Sequence, residues 1–177
     1  YVLERQGKYE EALQEYERAI QLKPSFGYLY LNLGAVYRLL RRDDEAIAQF
    51  QKAIELQPDE PRNREALGLV YYNQDDYEVA AVQFQKAVDL DMTYASALRY
   101  LGWSQYRLKN YEEAVRAFED AVGIDPSRAA YHAGLGWSYF WLERYDEAID
   151  EFQRTLQLDP NSVLAREGLE ALAERGF

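Results

Sequence analysis

Apolar residues recur three or four positions apart along nearly the whole chain, and the pattern breaks only at short polar seams. Ala46, Ile47, Phe50, Ala53 and Ile54 form one helical stripe, and Ala114, Val115, Phe118, Ala121 and Val122 repeat it. Four of the five prolines lie on one grid: Pro24, Pro58, Pro126 and Pro160 are separated by 34, 68 and 34 residues, and the empty grid point falls at Met92. The same period carries Leu33, Leu67, Leu101 and Leu135, then Gly34, Gly68, Gly102 and Gly136, and Ala12, Ala46, Ala80, Ala114 and Ala148. An aromatic series runs Tyr16, Phe50, Phe84, Phe118 and Phe152, and a small-residue series runs Ala19, Ala53, Ala87, Ala121 and Thr155. Each period therefore predicts two helices of about 14 residues joined by a short turn, with no strand-like alternation.

A unit of two short helices cannot bury its own apolar stripe, so successive units must stack into one continuous core. A glycine on the first helix opposite an alanine on the second lets the two backbones approach closely. Acids crowd the start of each second helix (Glu10-Glu11, Asp43-Asp44-Glu45, Asp75-Asp76, Glu112-Glu113, Asp146-Glu147). There they cap free amides and complement the helix dipole.

Leu33-Gly34, Tyr37, Ala46, Phe50, Ala53 and Pro58 together resemble the tetratricopeptide repeat signature, and the match recurs across nearly the whole chain. The resemblance implies an all-α fold, a right-handed superhelical solenoid of antiparallel helix pairs with a 34-residue repeat. The expected organisation is a single domain over 1–177: a partial repeat at 1–26, complete repeats at 27–60, 61–94, 95–128 and 129–162, and a capping helix at 163–177. In that last helix Glu170 stands where the grid has glycine, which suits a site facing water, and residues 1–7 supply only the tail of a first helix. Three departures stand out: Met92 replaces the seam proline, Gln105 replaces the tyrosine of Tyr37, Tyr71 and Tyr139, and Arg64 and His132 occupy a site where the family favours a large apolar residue. A looser junction is expected near Met92.

The net charge of −11, from 31 acids against 20 bases, opposes attraction to phosphate backbones and anionic lipids, so neither nucleic acid nor direct membrane insertion is expected. With no cysteine and one histidine, thiol nucleophiles and Cys-ligated metals are excluded and few catalytic routes remain. His132 reads as a packed histidine. Asp75-Asp76 and the pair Asp89 and Asp91 fall at helix starts and ends and read as solvated caps. The glycines are spread along the repeats rather than clustered in a glycine-rich loop, so no phosphate-binding loop is present. The expectation is a non-enzyme with no cofactor and no metal. A cytoplasmic location is expected; the chain begins at Tyr1 rather than at methionine, so this expectation does not extend to a signal or anchor removed from its front.

The resemblance further implies that extended peptides or partner helices bind along the first helices. On this chain that stripe places Tyr28, Arg38, Arg62, Tyr72, Arg99, Trp103, Tyr106, Arg107, Trp137, Phe140 and Trp141 on the inner face. Arg38, Arg62, Arg99 and Arg107 oppose only Glu65 there, so the face is positive although the chain is acidic. All three tryptophans fall on it, and aromatics with arginines are the composition of binding hot spots. The lysine–asparagine carboxylate clamp of some chaperone-binding relatives is absent, as is an asparagine ladder. The expected function is a protein–protein interaction adaptor taking an apolar or aromatic segment of some acidic character, with Trp137→Ala costing about 2 kcal/mol of binding at unchanged helicity. The alternatives are a self-associating homo-oligomeric module, or the recruiting part of a larger enzyme.

Overall fold

The computed structural model describes residues 8–177, so the expected tail of a first helix at residues 1–7 lies outside the described residues. Among the described residues the chain forms ten α-helices: α1 (Tyr9–Leu22), α2 (Gly27–Leu39), α3 (Asp43–Leu56), α4 (Pro61–Asn73), α5 (Tyr77–Leu90), α6 (Ala95–Arg107), α7 (Tyr111–Ile124), α8 (Ala129–Trp141), α9 (Tyr145–Leu158) and α10 (Val163–Glu174). They fall into two compact units, one ending at Asp91 and containing α1 to α5, the other spanning Met92–Phe177. Within the first, consecutive helices pack on one another and α2 also meets α4. The second repeats the scheme, with α6 meeting α8 and α8 meeting α10.

The turn inside each pair is built without glycine. Arg41, Asp75, Lys109 and Glu143 adopt left-handed φ values of 61°, 61°, 63° and 59°. The next N–H then closes onto a carbonyl five positions back, as Arg42 onto Tyr37 and Arg144 onto Tyr139, both at 2.9 Å. These bonds satisfy carbonyls at the end of the first helix and reverse the chain in three residues. Of the second helices only α5 has the expected acidic cap, Asp76 accepting from the Val79 N–H at 3.1 Å; the N-caps of α1, α3, α7 and α9 are Lys8, Arg42, Asn110 and Arg144, whose side chains make no cap bond, so the acids there act on the helix dipole alone.

Each core is organised around a phenylalanine of the second helix. Phe50, Phe84, Phe118 and Phe152 are fully buried. The close approach expected of the glycines is to these rings rather than to the alanine series. A Cβ added at Gly102 would lie 2.8 Å from the Phe118 ring, and one at Gly136 2.6 Å from Phe152. In the second unit Gly134 and Gly168, on the following first helix, sit closer still, so Phe118 and Phe152 are each held between two glycines. Glu170, off this contact, is exposed.

The tyrosines of the first helices join neighbouring elements. Tyr139 donates its hydroxyl to Glu119 on α7 at 2.9 Å, and the Arg144 guanidinium lies 4.4 Å over its ring. Tyr37 makes the same arrangement with Glu17 and Arg42. Where Gln105 replaces the tyrosine, Asn110 replaces the arginine and donates to Gln105 at 2.9 Å, so an amide pair substitutes for the cation–ring pair. Burial first, and then the hydrogen bond to Glu119, push the Tyr139 phenol up to about 12 from its ordinary 10.0. The folded protein thus holds this proton more tightly than the unfolded chain. The resulting stability is complete below pH 10 and is lost as pH rises through about 12. Tyr139→Phe is expected to remove that part of the alkaline loss, read by urea melts at stepped pH beside tyrosinate absorbance.

The polar residues in the fourth place of the first helices have a shared task at the seams. Tyr30 donates to the Pro24 carbonyl at 3.0 Å, His132 Nε2 to the Pro126 carbonyl at 3.0 Å, and Arg166 to the Pro160 carbonyl at 2.6 Å. In the repeat after Pro58 the staple moves one residue, to the buried Asn63, which donates to the Ala53 and Gln57 carbonyls at 3.2 and 3.1 Å. At the Met92 seam that place is Leu98, which has no donor to offer, and Met92 itself is 79% exposed. The residue before each seam is nevertheless alike: Gln57 (φ −138°, ψ 74°), Asp91 (φ −145°, ψ 99°) and Asp125 (φ −139°, ψ 88°) all lie outside the helical region that a following proline disfavours. Met92→Pro is therefore expected to stabilise by about 0.4–1 kcal/mol, through a less flexible unfolded chain. Amide exchange at this seam, expected faster than at Pro58 and Pro126, should slow towards theirs.

Candidate functional site

In the first unit, α2 and α4 lie side by side and leave a shallow cleft of ≈ 180 Å³ between them. Helical spacing puts Leu31, Asn32, Ala35 and Arg38 on one wall and Arg62, Glu65, Ala66 and Leu69 on the other, with the Phe50 ring as part of the lining. Among the described residues, neither the Arg38 nor the Arg62 guanidinium has a carboxylate partner. The cleft mixes apolar side chains with Asn32 and Glu65, and each wall carries one guanidinium without a carboxylate partner. Tyr28 and Tyr72 do not line it: Tyr28 is 48% exposed and packs edge-on against Phe26, and Tyr72 packs edge-on against Tyr77.

The second unit presents a ladder of aromatic rings. Trp103 packs edge-on against Phe118 and Tyr106, with ring centres 5.2 and 5.4 Å apart. Tyr106 meets Tyr111 at 5.6 Å, and Tyr111 stacks nearly parallel on Trp141 at 5.9 Å. The Trp141 indole N–H donates to the Tyr106 hydroxyl at 2.8 Å, so this ring is held on both its face and its edge while remaining 47% exposed. Burial is the main cause of a raised Tyr106 phenol. Phe140, expected on the open face, is only 4% exposed; it supports Trp137 and Trp141 from beneath. Trp137 is half-buried, packs on Phe152 and donates its N–H to the Leu164 carbonyl at 3.1 Å. Arg99 lies 3.9 Å over the Tyr100 ring, and Arg107 is exposed at the end of α6.

The sequence reading missed four participants. Tyr111 and Tyr145 begin second helices, and their signal was a recurring aromatic pair five apart: Tyr72 with Tyr77, Tyr106 with Tyr111, Phe140 with Tyr145. Leu164 in α10 and Arg175 just after it continue the inner-face grid. Leu164 is 43% exposed beside Trp137, and Arg175 lies 4.5 Å over Phe140 and donates to the Tyr145 hydroxyl at 2.9 Å. His132 is buried between Pro126 and Glu151 and faces neither the cleft nor the ladder's exposed ring. Among the described residues no cluster of His, Asp or Glu side chains is arranged to hold a metal ion, and no helix is long and apolar enough to cross a membrane.

Family models described as TPR repeat match residues 2–40, and models described as tetratricopeptide repeat match residues 26–93, 65–129 and 110–163. No curated protein matches the chain. Among solved structures, the chain is similar to MamA (23% identity over 89% of this chain and 92% of that one, TM-score 0.82). It is similar also to YrrB, described as a TPR protein with an unusual peptide-binding site (24%, 96% and 87%, TM-score 0.81). A third likeness is to a chain of the APC/C hetero-tetramer Cut9–Hcn1 (24%, 96% and 34%, TM-score 0.80). At these identities the likeness establishes the fold.

Proposed function

The chain belongs to the tetratricopeptide repeat family, and from that premise we propose that it is a non-catalytic adaptor holding a segment of another polypeptide against the inner faces of its first helices. The observation that carries this reading is Trp141, a large ring 47% exposed yet fixed in advance by Tyr106 and Tyr111. A ring already ordered loses little freedom on binding, so its burial contributes nearly in full to affinity. In the first unit, the unpaired Arg38 and Arg62 beside Leu31, Ala35, Ala66 and Leu69 favour acidic character with an apolar or aromatic body in whatever binds there. The peptide-binding site of YrrB and the Cut9–Hcn1 complex support a polypeptide ligand on this fold.

The test is acrylamide quenching of tryptophan fluorescence with and without a panel of acidic-aromatic peptides and their lysine-substituted counterparts. Saturable shielding by the acidic set alone is expected at every protein concentration. Quenching unaffected by any peptide would overturn the reading, and shielding that appears only as protein concentration rises would replace it with self-association.

A further inference from the structure

Besides Arg38, a second partly buried cation of the first unit, Arg64, forms no ion pair among the described residues. Position 64 is the place that elsewhere staples the seam, but Asn63 performs that task here, which leaves the Arg64 side chain free to turn towards α5. There its guanidinium donates to Gln83 at 3.3 Å, and Gln83 is only 9% exposed. The same two grid places in the last complete repeat are His132 and Glu151, joined at 2.6 Å, where an acid faces the basic ring. In the repeat between them the places are Leu98 and Ala117, both buried and apolar. Only the Arg64–Gln83 version combines a permanent positive charge with a neutral partner.

Arg64 lines an open surface pocket of ≈ 320 Å³ with Pro58, Lys86, Asp89 and Leu90, all four of them exposed. Among the described residues the Lys86 ammonium has no ion pair, and Arg64 has no carboxylate partner. Asp89, the acid of the lining, accepts from Gln85 at 2.9 Å. Arg64 is partly buried and Lys86 exposed, and a planar guanidinium lining the same pocket as an ammonium matches the two oxygens of a carboxylate. Pro58 and Leu90 give the pocket apolar walls, which suits a carboxylate attached to a small apolar body better than a bare ion.

We infer that the pocket between the start of α4 and the end of α5 is a second binding site, separate from the α2–α4 cleft, for an organic carboxylate. Its ligand is recognised by Arg64 and Lys86 and shares the pocket with Pro58 and Leu90. The carboxylate arrives either as a free small acid or on an aspartate or glutamate of a bound polypeptide.

The experiment titrates glutarate, and separately an N-acetylated, C-amidated Glu-Leu dipeptide, into the full chain while the Arg64 Nε–H and Leu90 methyl NMR signals are followed. Saturable shifts of both signals are expected with at least one probe. Saturation by glutarate assigns the site to free acids, and saturation by the dipeptide alone assigns it to a polypeptide partner. Gln83→Glu, which gives Arg64 the internal acid that His132 has, is expected to weaken binding at least tenfold with the fold intact. Lys86→Gln should weaken it several-fold, and Trp141→Ala should leave it unchanged. Absence of shifts with both probes, or equal affinity in the Gln83→Glu protein, would overturn the inference.

Discussion

Phe152→Ala is expected to cost about 3–5 kcal/mol of stability, the upper range for core truncations. The ring is fully buried, meets Trp137 edge-on at 5.5 Å and lies between Gly136 and Gly168. Neither glycine has a side chain that could move into the void, so the site can close only by shifting α8 or α10, and much of the cavity term persists. The explanation makes a second demand. Gly168→Val should destabilise the native protein, because its Cβ would enter the Phe152 ring, yet be better tolerated in the Phe152→Ala background, where that space is empty. Urea melts of the four proteins give the coupling, and strictly additive losses would mean that the ring and the glycine do not share the space described.

The second large effect separates two tryptophans that look equivalent in the sequence. Trp141→Ala is expected to weaken binding of an acidic-aromatic peptide about 30-fold, roughly 2 kcal/mol, with only a small loss of stability. Trp137→Ala is expected to act first on stability, by about 3 kcal/mol, because its ring packs on Phe152 and its N–H holds the Leu164 carbonyl of α10. Helicity would then not be the neutral background that a sequence-based reading of Trp137 assumes. Peptide titrations beside urea melts decide the matter: undiminished affinity in Trp141→Ala would remove this ring from the binding face.

Helix positions and the repeat were legible because they follow from local periodicity and backbone chemistry. The seams with proline, the leucine and glycine series and the phenylalanine series all fall where the structure uses them. The site was legible only as a stripe. Helical spacing places Trp103, Trp137, Phe140 and Trp141 on one side of their helices, and Phe140 is nonetheless 4% exposed while Trp141 is 47% exposed. That difference depends on which neighbouring rings stand in front of each. Tyr111 and Arg175, which sit against Trp141 and Phe140, come from positions 30 and 35 residues away in the sequence.

Residues 64 and 132 show the same division. Sequence comparison within the chain marks both as polar intrusions at one place of the repeat, without distinguishing them. Packing makes His132 a seam staple with an acid beside it, and makes Arg64 a wall of an open pocket with an amide beside it. By itself the sequence determined the helix pairs, their 34-residue period and the side each first helix turns to its neighbours, since these depend on spacing along one chain. Only the tertiary structure decided which ring is presented, which cations are unpaired and what the glycines clear space for. Those depend on side chains brought together from different helices, whose partners no single helix contains.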